Sequence, residues 1–112
     1  MSERPPFEYL GPAEREAPLA EALRRVVDPE MALNVVDLGL IYRVEAGEGF
    51  VKVDLTMTSA ACPVAELIMD EVHHELTDLL GTGTKIDCEL VWDPPWSPQM
   101  MSRRARMAMG WD

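Results

Sequence analysis

The chain has 112 residues, 47% of them hydrophobic, and carries a formal net charge of −10. This length suits one domain, and the negative charge argues against binding to nucleic acids or anionic membrane surfaces, which attract Lys and Arg. No stretch approaches the roughly 18 uncharged apolar residues of a membrane-spanning helix, and residues 1–8 lack the apolar region of a secretion signal, so we expect a cytoplasmic protein.

The beginning of the chain is proline-rich and charged. We therefore expect a flexible tail over residues 1–16, followed by a single domain over residues 17–112. The domain is predicted to open with a helix over residues 18–27, because its apolar side chains recur at helical spacing. These side chains are Leu19, Leu23 and Val26.

Two strands are predicted over residues 40–45 and 50–58. The segment between them is short and glycine-rich, which is typical of a hairpin. In the second strand apolar and polar residues alternate, so one face should be buried and the other should be wet. The wet face would carry Lys52, Asp54, Thr56 and Thr58.

The second half of the chain continues with a helix over residues 63–80 and a strand over residues 85–92. Ser97 can cap a last helix that has Pro98 at its first position. The order is then α-β-β-α-β-α. The hairpin makes the first two strands antiparallel, and the crossover makes the second and third parallel. This predicts a two-layer α/β domain with a small mixed three-stranded sheet.

This topology brings three irregular segments to one edge of the sheet. The segments before Cys62 and over residues 93–97 follow the two parallel strands. The segment over residues 28–39 precedes the first strand, which runs in the opposite direction. Because open α/β sheets bind ligands at the carboxyl ends of their strands, we expect a site at this edge, which we call the rim.

Cys62 is the candidate reactive residue at the rim. It lies immediately before Pro63, where a helix is predicted to begin. Free backbone N–H groups and the helix dipole would favour the thiolate there, and a thiolate binds iron or reacts with electrophiles. The alternative is a small side chain that fills the corner between strand and helix. Cys88 shares the apolar face of its strand and is predicted to be core packing.

Several neighbours would support Cys62. Thr58 and Ser59 can donate hydrogen bonds to a thiolate, and Asp28 and Glu30 supply carboxylates nearby. Asp28 can orient a partner group or ligate a metal, but it can also simply hold the turn at Pro29. For docking of a partner protein the candidates are Trp92 and Trp96, since tryptophan is a common interface anchor.

Five short motifs in order resemble the SufT/PaaD-like family of metal–sulfur cluster assembly proteins. The resemblance covers about residues 17–111. The motifs are VDPE at 27–30, NVVDLGLIY at 34–42, TMT at 56–58, CP at 62–63 and VWDPPW at 91–96.

The resemblance implies the fold of an iron–sulfur cluster assembly domain and a role in maturing iron–sulfur proteins, as a carrier or a targeting adaptor. It places the family's reactive cysteine at Cys62 and its acidic turn residue at Asp28. The chain stops at Asp112 without the cysteine-bearing tail of the PaaD branch, so we expect the SufT-like branch. The implied partners are scaffold or client proteins, and the implied cargo is iron or a transient cluster.

Three functions remain open at this stage. One thiolate cannot hold a cluster alone, so a carrier would need a homodimer or ligands from a client. A protein-interaction adaptor for a multicomponent oxygenase, as in the PaaD branch, would bind no metal. A thiol enzyme would need a base beside Cys62. His73 lies eleven residues further along the predicted helix, about 17 Å away, which disfavours an enzyme.

Overall fold

The computed structural model describes residues 7–58 and 64–110. Within these residues the chain forms three α-helices, six strands and one short 3₁₀-helix. The α-helices are α1 (Ala13–Arg24), α2 (Ala65–Leu80) and α3 (Arg103–Ala108), and the 3₁₀-helix is Pro98–Met100. The strands are β1 (Glu8–Leu10), β2 (Val27–Asp28), β3 (Leu33–Asn34), β4 (Ile41–Gly47), β5 (Phe50–Leu55) and β6 (Lys85–Leu90).

The main sheet is mixed and has four strands in the order β1-β4-β5-β6. Strands β4 and β5 form an antiparallel hairpin, β5 and β6 are parallel, and β1 lies parallel to β4 at one edge. Strands β2 and β3 pair separately as a two-residue antiparallel ribbon. The predicted α/β class with a small mixed sheet is confirmed, and the sheet has one strand more than we expected.

The two faces of the sheet have different chemistry. Cross-strand neighbours share a face, so the pair Val44 and Val53 is on the inner face and the pair Arg43 and Asp54 is on the other. The inner face and the apolar sides of α1 and α2 contribute to one hydrophobic core. The other side, which we call the open face, carries Glu8, Leu10, Arg43, Glu45, Lys52, Asp54, Asp87 and Glu89.

The N-terminal region differs from the expected tail. Residues 8–10 pair with β4, Phe7 is only 6% exposed, and helix α1 begins at Ala13 instead of residue 18. The Tyr9 hydroxyl donates a hydrogen bond to the Pro12 carbonyl at 2.6 Å, which closes the turn between β1 and α1. The spacing of apolar residues predicted only the buried part of α1. The first turn of the helix is exposed and polar, so it was not included in the predicted helix.

The C-terminal region is also divided differently from our prediction. Ser97 and Pro98 stand at the N-cap and first position as predicted, but of a short 3₁₀-helix that is followed by α3, and the Ser97 side chain makes no capping bond. Ser102 caps α3 instead, its hydroxyl accepting from the Ala105 N–H at 3.1 Å. The Ser102 N–H donates to the Asp37 carbonyl at 2.7 Å, so the break between the two helices is where this region attaches to the rim.

Candidate functional site

Two of the three segments predicted to meet at the rim do so. The Trp96 indole N–H donates to the Leu38 carbonyl at 2.7 Å, and the Tyr42 hydroxyl donates to the Pro94 carbonyl at 2.7 Å. These bonds tie the segment after β6 to the segment before β4 and to the beginning of β4 itself. Gly39 allows this close approach, because it has a φ of 77° and an added Cβ would lie 2.7 Å from the Met100 carbonyl carbon.

The third segment falls largely outside the described residues. Cys62 and Ser59 both belong to residues 59–63, which the structure does not describe. Thr58 is the last described residue before them and is exposed, as predicted for the wet face of β5. Thr56 was expected on the same wet face but is fully buried. It lies just beyond β5, which ends at Leu55, and its N–H bonds to the Leu40 carbonyl at 2.8 Å.

Helix α2 begins later than predicted. Its first residue is Ala65 and its N-cap is Val64, so Cys62 lies two positions before the cap in sequence and not at the cap itself. Val64 contributes no side-chain capping bond.

Asp28 holds the turn between β2 and β3. Its side chain is 2% exposed, and Oδ1 accepts hydrogen bonds from the N–H of Glu30 at 2.8 Å and of Met31 at 3.3 Å. The Asp28 carbonyl also accepts from the N–H of Ala32, which has a φ of 59°. This is the turn-holding role that we considered as the alternative to a direct functional role. Glu30 is exposed at the outside of the same turn.

A second turn, before β4, is held by a reciprocal pair of hydrogen bonds. The Asn34 amide donates to the Asp37 carboxylate at 2.8 Å, and the Asp37 N–H donates back to Asn34 Oδ1 at 2.8 Å. Asp37 is buried, and its carbonyl receives the Ser102 N–H. The structure therefore gives Asp37 a structural role at the rim.

The two tryptophans differ in their surroundings. Trp92 is 44% exposed at the end of β6, so its ring is open to a partner. Trp96 is half-buried and packs against the core, and its indole N–H is bonded within the chain. Trp96 therefore helps to hold the rim together, whatever it contributes to docking.

Tyr42 is a rim residue that sequence reasoning missed. Burial raises the pKa of its phenol, and this outweighs the interaction with the Thr56 side chain, which lowers that pKa; the nearby Asp93 carboxylate raises it further. Its oxygen also lies 3.4 Å from the Met100 sulfur. Tyr42 lies where the register of the β4–β5 pairing is irregular, between Ile41 and Arg43. The alternation of polar and apolar residues does not reveal such an irregularity, so nothing in the sequence indicated the role of Tyr42.

The cysteine that the structure describes, Cys88, is a poor metal ligand. It packs against the core, and burial together with the Asp87 carboxylate raises the pKa of its thiol from 9.0 to about 11. A thiol with this pKa stays protonated at neutral pH, whereas metals bind the thiolate. Residues 7–58 and 64–110 contain no group of three or more His, Cys, Asp or Glu side chains that could hold a metal ion.

These features define a small mixed α/β domain whose candidate site lies at one end of its sheet. No helix among the described residues has the length and apolar character required to cross a membrane. Residues 16–88 match the model of the iron–sulfur cluster assembly protein family. The chain belongs to this family.

Named relatives agree with the SufT-like branch. The chain is 43% identical over 90 residues to the Fe-S protein maturation auxiliary factor YitW of Bacillus subtilis, covering 80% of this chain and 87% of that protein. It is 41% identical over 86 residues to the Fe-S protein maturation auxiliary factor SufT of Staphylococcus aureus, covering 76% of this chain and 97% of that protein.

A solved structure agrees with the fold. The crystal structure of a domain of unknown function, DUF59, from Bacillus anthracis superimposes with a TM-score of 0.80 at 39% sequence identity. The match covers 87% of this chain and 92% of that chain. The resemblance deduced from the five motifs is therefore confirmed.

Proposed function

We propose that this protein is an accessory factor of iron–sulfur cluster assembly in the cytoplasm, which binds iron or a cluster transiently through Cys62 and passes it to client proteins. The observation that carries the proposal is the family match over residues 16–88, together with maturation factors that align over most of their length. The surroundings of Cys88 support Cys62 as the ligand, since Cys88 packs against the core and burial raises the pKa of its thiol.

The cargo needs ligands from a second source. Iron–sulfur clusters commonly take four ligands, and the described residues supply no cluster of ligating side chains. We propose that a second copy or the client completes the coordination. A carrier gains from this arrangement, because a cluster that is held by few ligands of the carrier leaves readily. Asp28 and Glu30 would then support the site through the turn between β2 and β3, and Thr58 would contribute from the exposed segment that follows β5.

The test is anaerobic reconstitution of the full chain with ferrous iron and sulfide, followed by measurement of bound iron and visible absorption. Wild type should bind iron and show sulfur-to-iron charge-transfer bands. Cys62→Ser should lose both while remaining folded by circular dichroism. Cys88→Ala is the matched control and should keep both. Equal iron binding by wild type and Cys62→Ser would refute the proposed role of Cys62.

A second candidate function is an adaptor that binds partners without metal. The exposed ring of Trp92 at the end of β6 favours it. In that case Trp92→Ala would reduce the proteins that co-purify with the chain, and Cys62→Ser would not. A catalytic role has less support, since His73 and His74 are exposed on α2, about 12 Å or more along the helix from its first residue. His74 faces Asp78 at 3.5 Å.

A further inference from the structure

A groove of about 710 Å³ lies where the open face of the sheet reaches the rim. Its lining includes Glu8 of β1, Arg43 of β4 and Asp54 of β5, which are cross-strand neighbours, and Asp93 from the segment after β6. The groove is therefore built by four separate parts of the chain. Its volume falls within the range of ligand-binding clefts.

The groove carries unbalanced negative charge. On the open face Arg43 pairs with Glu45 at 3.8 Å, and Lys52 pairs with Glu89 at 3.4 Å. Arg43 and Lys52 thus each have a carboxylate beside them, and Lys85, the third cation of that face, lies at the first residue of β6, outside the lining of the groove. The three carboxylates of the groove form no ion pair with any described residue; they are Glu8, Asp54 and Asp93. Asp54 Oδ1 is buried without a hydrogen-bond partner, and so is Nε of its cross-strand neighbour Arg43, so neither group neutralises the other by a direct hydrogen bond.

The walls of the groove are apolar. Phe7 and Ile41 lie almost fully buried beneath it, and Pro94 and Met100 form the side next to the rim. An apolar wall beside unpaired carboxylates suits a long cationic side chain, whose methylene stem covers apolar surface while its charged head reaches a carboxylate. The chemistry of the groove thus matches lysine or arginine better than a fully apolar or an acidic ligand.

We propose that this groove binds an extended segment of a partner protein through a lysine or arginine side chain of that segment. Ile41, in the groove, pairs with Leu55, the last residue of β5, and the chain runs from there towards Cys62. A partner bound in the groove is therefore held at the end of the sheet that leads to the predicted ligand. The identification of this partner as a client or scaffold rests on the proposed function. The existence of the groove and its negative charge are independent of that function.

The test uses a fluorescein-labelled eight-residue peptide of alternating valine and arginine, with citrulline replacing arginine in the matched control. Fluorescence anisotropy with the full chain, without iron, should show binding of the arginine peptide and not of the citrulline peptide. Asp93→Asn and Asp54→Asn should each weaken binding about three- to fivefold, as expected for loss of one partly exposed charge pair. Asp87→Asn removes the same charge from the open face outside the groove and should leave binding unchanged.

Four results would overturn the proposal. The first is no binding of the arginine peptide, and the second is equal weakening by Asp87→Asn and Asp93→Asn, which would indicate general attraction to an acidic surface. Tighter peptide binding by Arg4→Gln would assign the groove to the first residues of this chain. Self-association in sedimentation that Asp93→Asn abolishes would assign it to a second copy. Cys62→Ser should bind the peptide like wild type, so this test and the iron test fail independently.

Discussion

The buried carboxylate of Asp28 allows a quantitative test of how the rim is held together. Asp28→Ala removes the acceptor for the N–H groups of Glu30 and Met31, at 2.8 and 3.3 Å. A hydrogen bond to a charged group contributes roughly 1.5–3 kcal/mol, and the longer second bond contributes less. Because Glu30 is exposed and water can partly replace the lost acceptor, we expect the free energy of unfolding to fall by about 2 kcal/mol.

Urea unfolding followed by tryptophan fluorescence measures this change. Asp28→Asn keeps an acceptor oxygen in the same place and should lose less than half as much stability. Asp78→Ala, an exposed site on α2, is the surface control and should change the free energy by less than about 0.5 kcal/mol. If Asp28→Ala unfolds like wild type, or if Asp28→Asn costs as much as Asp28→Ala, the carboxylate does not hold this turn.

Two further predictions concern Trp96 and Cys88. Trp96→Phe keeps an aromatic ring but leaves the buried Leu38 carbonyl without its donor, which should cost about 1–3 kcal/mol in urea unfolding, whereas Trp92→Phe should cost less than about 0.5 kcal/mol. Equal costs would show that the indole bond does not stabilise the rim. Because folding raises the pKa of Cys88 from 9.0 to about 11, its contribution to stability is complete below pH 9 and is lost as pH rises towards 11. Cys88→Ala should therefore flatten the stability profile over that range, and an unchanged profile would contradict the assigned burial.

Local patterns were sufficient for the main elements. The apolar stripe of α2 and the alternation along β5 are periodic over many residues, and both elements end within three residues of the predicted position at their C-termini. A short glycine-rich connection was enough to pair β4 with β5. These features can be predicted from the sequence because each depends on residues that are close together in the chain. The five motifs, in turn, predicted the family.

Features that depend on distant residues were missed or misplaced. The three residues of β1 are too few to show alternation, and they form a strand because the edge of β4 is available to them. Thr56 has the sequence position of a wet-face residue, yet it is fully buried, and its N–H bonds to Leu40 in the segment before β4. The break before α3 occurs where Ser102 bonds to Asp37, 65 positions earlier in the chain.

The amino-acid sequence by itself determined the α/β class, the order of the main elements, the family and Cys62 as the candidate ligand. The tertiary structure decided that Asp28 closes a turn and that Trp96 bonds to Leu38. It also decided that three carboxylates without an ion-pair partner among the described residues share a groove. The physical reason is that periodicity reports which side of an element is buried. The partners of a buried carboxylate or indole are chosen by pairing between distant segments, which no local pattern encodes.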